Sequence, residues 1–198
     1  MYRYQILIEY DGTLFVGWQI QKKGRSIQKT VQSALTKLLK QNIILFSAGR
    51  TDSGVHASEQ SAHFDLKNNI QNINKLIKSL NFFLNNKNIS IINIKKKKNN
   101  FHARYSAKER IYLYIILNRY SASTLNKDRE WHIRKKLDIN LIRKGAKKLI
   151  GKHDFSTFRA SNCSSKSPIK TINGIIVKKS NNRIKLKFKS KSFLKNQV

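Results

Sequence analysis

Apolar and polar residues alternate at the start of the chain. Tyr4, Ile6, Ile8 and Tyr10 have the spacing of a half-buried strand, and Asp11-Gly12 ends it as a turn. The period then lengthens. Ser26 is placed to cap a helix whose apolar face is Ile27, Val31, Ala34, Leu35, Leu38 and Leu39. Residues 43–48 read as a second strand, 49–57 as a loop, and Ala62, Phe64 and Leu66 as part of a third strand. Ile73, Leu76, Ile77, Leu80 and Leu84 make a second amphipathic helix, followed by a strand over 89–94. The run Lys95 to Lys98, with Asn99 and Asn100, reads as a solvated boundary between an N-terminal domain, 1–100, and a C-terminal domain, 101–198.

The second half opens with a strand around Tyr112 to Leu117. A helix from about Asp138 turns Leu141, Ile142, Leu149 and Ile150 inward and stops at Gly151. Strands near 171–178 and 183–189 flank an Asn181-Asn182 turn. Strands and helices mix without regular alternation, which predicts an α+β fold of two small domains with antiparallel sheets, not a doubly wound parallel sheet.

Charge narrows the function. Forty-one Lys and Arg face ten Asp and Glu, a net charge of +31 over 198 residues. Such an excess attracts polyanions, and nucleic acid is the leading partner. A membrane surface fits less well, because no long basic amphipathic helix is present and no apolar run is long enough to span a bilayer. Cys163 is the single cysteine, so no internal disulfide forms. With no signal-peptide pattern at the N-terminus, the expected location is the cytoplasm.

The stretch GRTDSGVHA, residues 49 to 57, carries the most chemistry. Gly49 and Gly54 permit backbone geometry that other residues resist. Between them Asp52 stands two positions after Arg50. A guanidinium beside a carboxylate favours the ionised acid, whose usual pKa is about 3.9, and an ionised carboxylate can act as a nucleophile. An aspartate here also fits an Asx-turn that caps the loop, and local physics alone leaves both readings open. Phe15 and Trp18 suit either base stacking or the core. Tyr112 suits a core position on a strand. His56 and His63 form no metal-ligand pattern with Cys163 or with any carboxylate cluster, so no metal is expected. His153-Asp154 suits a loop cap and Glu109-Arg110 a structural or surface pair. No phosphate-cradling or dinucleotide fingerprint is present, so no cofactor is expected.

GRTDSGVHA resembles the catalytic loop of the TruA-type tRNA pseudouridine synthases. So do EYDGTLFVGWQIQ (9–21), SIQKTVQSAL (26–35), FHARYSAKERIYLYIILN (101–118) and GKHDFSTFRA (151–160), in family order and approximate spacing. The resemblance implies the pseudouridine synthase fold with an active-site cleft between the two domains, and isomerisation of uridines in the anticodon stem-loop of tRNA. It assigns Asp52 as the nucleophile and Arg50 as the arginine that holds the flipped nucleotide and pairs with the acid. Tyr112 becomes the tyrosine that packs on the target uracil. Ser53 stands where the family often has alanine. KSFLKNQV, 191 to 198, resembles the start of a late family segment that in relatives runs on through an arginine, a helix and a strand. The expectation is therefore a chain lacking the family's C-terminal part, with a homodimer implied where that part is present.

Overall fold

The computed structural model describes residues 1–161, 163 and 165–198. These form two compact units, Met1–Ala107 and Lys108–Val198, each with its own sheet.

In the first unit the order is β1 (Tyr2–Tyr10), α1 (Ile27–Leu39), β2 (Phe46–Ser47), β3 (Ala57–Leu66), α2 (Ile73–Leu84) and β4 (Ile89–Lys97). The strands lie β2-β3-β1-β4, with antiparallel neighbours. The alternation read along β1 decides which face is buried: Tyr4, Ile6 and Ile8 are fully buried and Tyr10 nearly so. Ile6 stands opposite Ala62 on β3 and Ile94 on β4, so the three strands contribute to one face. Ile27, Val31 and Leu35 of α1 and Leu76, Leu80 and Leu84 of α2 complete the core. Ser26 caps α1 by accepting from the Lys29 N–H at 3.4 Å, and Asn72 caps α2 by accepting from the Lys75 N–H at 2.9 Å.

Two local expectations are corrected. Only Phe46–Ser47 of the stretch 43–48 pairs as a strand. Ile43 and Leu45 are buried, but their N–H groups donate to Thr36 Oγ1 (3.2 Å) and Gln32 Oε1 (3.0 Å) of α1 in place of a ladder partner. Lys95 to Lys97 are the end of β4, not a free connection. They pair with Arg3 to Gln5 along the sheet edge, where charge discourages pairing with another chain.

Past β4 the chain folds back onto the sheet. Arg3 grips Asp65 through two bonds of 2.8 and 2.7 Å and donates to the carbonyls of Asn99 and Phe101. His63, 1% exposed on β3, accepts from the Ala103 N–H at 3.2 Å through Nδ1. Burial pushes the His63 pKa from 6.5 down to about 4, helped by the charges of Arg3 and His102 and opposed by Asp65.

The second unit contains β5 (Arg110–Asn118), β6 (Trp131–Ile133), α3 (Ile139–Lys148), β7 (Gly151–Asp154), β8 (Ile169–Ser180) and β9 (Arg183–Ser190), in sheet order β6-β5-β9-β8-β7. All neighbours are antiparallel except β5 and β6. Three-residue β6 is held by side chains. Asn118 donates to the carbonyls of Ile133 and Lys135 and accepts from the Leu137 N–H, and Glu130 pairs with Arg183 at 2.5 Å. The Asn181-Asn182 turn forms as read, with Asn181 at φ 50°. The inward face of α3 is narrower than the sequence suggested. Ala146 is buried and Ile142 and Leu149 half-buried, but Leu141 is 64% exposed and Ile150 is exposed too. Positions 142, 146 and 149 keep one helical stripe, and 141 and 150 fall beside it.

The α+β architecture with antiparallel-dominated sheets is borne out in both units. Two predictions follow from the first. Ile6→Ala removes a fully buried side chain from the central strands and should cost about 2–5 kcal/mol, read from the urea midpoint. Neutral His63 contributes stability that is complete above pH 6.5 and is lost as pH falls from there to about 4, because the unfolded chain binds the proton first. A His63→Gln chain should show a flatter stability profile across that window; an unchanged profile would refute the assignment.

Candidate active site

The loop joining β2 to β3 is pinned along its length, mostly through main chain. At its start the Ala48 N–H donates to the Ser61 carbonyl (2.7 Å) and Gln60 Nε2 donates to the Gly49 carbonyl (2.7 Å). Thr51 is held twice: its carbonyl accepts from the Trp18 N–H at 3.0 Å, and its hydroxyl shares a hydrogen bond with the Tyr10 hydroxyl at 2.8 Å. Ser53 Oγ and the Gly54 N–H both donate to the Phe15 carbonyl, at 3.1 and 3.3 Å. At the far end the Gly12 N–H donates to His56 Nδ1 at 3.1 Å.

Every partner in the opposing segment comes from residues 10 to 18, which approach closely enough to need glycine. A Cβ on Gly12 would lie 2.1 Å from the Val55 carbonyl oxygen. One on Gly17, already at φ +107°, would lie 2.7 Å from the Thr51 carbonyl oxygen and 3.1 Å from the Asp52 carbonyl carbon. Neither position leaves room for a side chain. Phe15 and Trp18, each 2% exposed, belong to the core, which resolves the choice between core and base stacking. Their main-chain groups hold the loop while their rings anchor the segment beneath it.

The tip of the loop faces solvent. Arg50, Asp52 and Ser53 are exposed. The Asp52 main-chain carbonyl, not its side chain, accepts from the Val55 N–H at 3.3 Å. The Asx-turn pattern occurs instead at Asp11, whose Oδ1 accepts from the Thr13 N–H and hydroxyl at 3.0 and 2.6 Å. Arg50 and Asp52 share the loop, but among the described residues they form no ion pair with each other. The main chain at Asp52 is therefore held by backbone contacts, and its side chain is exposed.

Tyr112 lies in the second unit on β5, opposite Phe188 of β9. It is half-buried, with its ring edge-on to Phe193 at 5.1 Å between centroids. Asp154 caps its own loop, as its sequence context suggested, by accepting from the Ser156 N–H and hydroxyl; these bonds hold its carboxyl below the usual range. The sequence reading missed Gly17 and took Gly12 for a turn residue alone. The available signal was two glycines five positions apart, with buried aromatics at 15 and 18, just ahead of a helix cap.

Gly17→Ala tests the close approach. The added methyl meets main chain that cannot step aside, so stability should fall by about 1–3 kcal/mol. Trypsin cleavage after exposed Arg50 should accelerate, read by mass spectrometry. Unchanged melting together with unchanged cleavage would show that the contact does not hold the loop.

A family model described as tRNA pseudouridine synthase matches residues 6–106 and 146–198; Arg50 and Asp52 fall in the first segment and Tyr112 between the two. The tRNA pseudouridine synthase A of Pelagibacter ubique (strain HTCC1062) is 61% identical over 198 residues, covering 100% of this chain and 80% of the relative. Those of Anaplasma phagocytophilum (strain HZ) and Ehrlichia canis (strain Jake) are 41% and 43% identical over 99% of this chain and 80% of each relative. The chain belongs to the tRNA pseudouridine synthase family.

Proposed function

We propose that this chain isomerises uridine to pseudouridine in the anticodon arm of tRNA, with Asp52 as the nucleophile. The observation that carries the reading is an exposed carboxylate held on a main-chain-pinned loop, in a chain 61% identical to a tRNA pseudouridine synthase A. The reaction breaks the glycosidic carbon–nitrogen bond, turns the uracil and joins the ribose to the fifth ring carbon. That carbon then loses its proton and the released nitrogen gains one, so composition is unchanged and no redox partner or nucleotide energy source is required.

The uracil must leave its stack to reach Asp52, which costs on the order of a few kcal/mol. Phosphate contacts from a surface of net charge +31 offset that cost, and binding should weaken steeply as salt rises. Asp52 attacks the base or the ribose carbon. Arg50, exposed on the same loop, holds the flipped nucleotide by its phosphate and forms its pair with Asp52 as the substrate arrives. Tyr112 packs on the uracil, and it or water takes the final proton. Family kinship extends the reading to a cytoplasmic homodimer. Among the described residues no helix is long and apolar enough to cross a membrane.

Asp52→Asn keeps the shape of the side chain but removes its charge. It should retain tRNA binding and lose pseudouridine, counted at single-nucleotide resolution on unmodified tRNA. Product from the Asn variant equal to that of the parent chain would exclude Asp52 as the nucleophile. Absence of product from the parent chain, with binding intact, would leave an RNA-binding protein in place of an enzyme.

A further inference from the structure

A second feature of the first unit involves β2, β3 and the turn that follows β4. Four aromatic rings line up at the β2 edge of the sheet. Phe46 stacks on His63 at 5.1 Å and 23°, His63 meets His102 at 4.6 Å, and His102 meets Tyr105 at 4.4 Å. The inner rung is fixed, because His63 is buried and bonded to the Ala103 main chain. Both ends are open. Phe46 is 46% exposed and Tyr105 73% exposed.

Tyr105 is nonetheless rigidly presented. The turn that carries it is closed by the Ser106 N–H donating to the His102 carbonyl (2.8 Å), the His102 N–H to Ser106 Oγ (3.0 Å) and the Arg104 N–H to His102 Nδ1 (3.2 Å). Two cations lie at the group. The Arg104 guanidinium lies 5.7 Å from the Tyr105 centroid and the Lys97 ammonium 5.3 Å from that of Phe101, which itself packs on His63. The nearby carboxylate, Asp65, is already bound to Arg3. An exposed ring on a fixed turn, bordered by positive charge, matches an unpaired base with its phosphate, because stacking accepts any base and the cations accept the backbone.

We propose that the ring ladder ending in Tyr105 is a docking platform for an unpaired base of the RNA substrate, separate from the base that reacts; this rests on the RNA-substrate reading given above. Along β3, His63 stands six residues beyond Ala57, where the Asp52 loop ends. At roughly 3.3 Å per residue the His63 rung lies about 20 Å along the strand from Ala57. The platform sets how an RNA lies across the first unit while a different nucleotide reacts at Asp52.

The test titrates the full chain with a labelled, unmodified tRNA anticodon stem-loop and with a blunt RNA duplex of equal length. Tyr105→Ala should bind the stem-loop about tenfold more weakly, leave duplex binding unchanged and keep the salt dependence of the parent, since it removes stacking and no phosphate contact. Tyr105→Phe should bind as the parent does. Because Tyr105 is largely exposed, the Ala variant should melt with the parent. Parent-like stem-loop binding by the Ala variant, or equal loss on both RNAs, would overturn the proposal. Pseudouridine formation by the parent chain is measured in parallel. A Tyr105-dependent stem-loop preference without product would support the platform and count against the enzyme reading; product with no such preference would do the reverse.

Discussion

Between residues 12–17 and residues 51–55 two stretches of main chain approach directly at Gly12 and Gly17. The contact is closed from behind as well. Gly17 and Trp18 present their carbonyls to the N–H groups of Ile27 and Gln28 at the start of α1, and the Val16 N–H donates to the Arg25 carbonyl. A single segment therefore ties the end of β1, the N-terminus of α1 and the β2–β3 loop. A carboxylate held by a partner side chain would be engaged with that partner. One carried on a held backbone has its main chain placed while its oxygens remain exposed, and the tip of this loop has that property. Burial of Phe15 and Trp18 is thus indirectly functional, because those rings fix the carbonyl and the N–H that grip Ser53, Gly54 and Thr51.

What could be read from the sequence follows from which forces are local. The cap at Ser26, the start of α3 near Asp138 and the apolar faces of α1 and α2 depend on neighbours a few residues apart, and the structure has them where the pattern puts them. The buried alternation of β1 is also a local signal with a global consequence. The failures share a different cause. β6 exists because Asn118 and the Glu130–Arg183 pair hold three residues against β5 from a distance in sequence. Ile43 and Leu45 miss the ladder because α1 side chains satisfy their N–H groups first. Lys95 to Lys97 looked like a solvated break, yet an edge strand tolerates charge on its open side. At the site, Asp52 and Arg50 were candidates read from the loop and its likeness to a family, and both lie on its exposed stretch. The supporting contact at Gly12 and Gly17 was not legible, since a glycine's reason for being glycine lies in what approaches it.

The distribution of acidic groups extends the argument about Asp52. With ten acids against 41 basic residues, each carboxylate is surrounded by attraction, and several have clear structural duties. Asp65 binds Arg3, Glu130 binds Arg183, Asp138 caps α3, and Asp11 and Asp154 close turns. Glu9, Glu59, Glu109 and Asp128 are exposed as Asp52 is, but Glu9 and Glu59 lie on strands, Glu109 just before one, and Asp128 in the turn that precedes β6. Asp52 differs in combining exposure with a loop tip that the main chain holds from two sides. A polyanion drawn to this surface by charge would meet few carboxylates, and at Asp52 it would meet one on a loop held by main-chain contacts. Long-range attraction and local placement are thus supplied by different parts of the structure. The lysines act through solvent and weaken with salt, whereas the glycine contact is steric and insensitive to it. Attraction and placement can therefore vary separately in this chain, because salt acts on the first and the packing of residues 12–17 on the second.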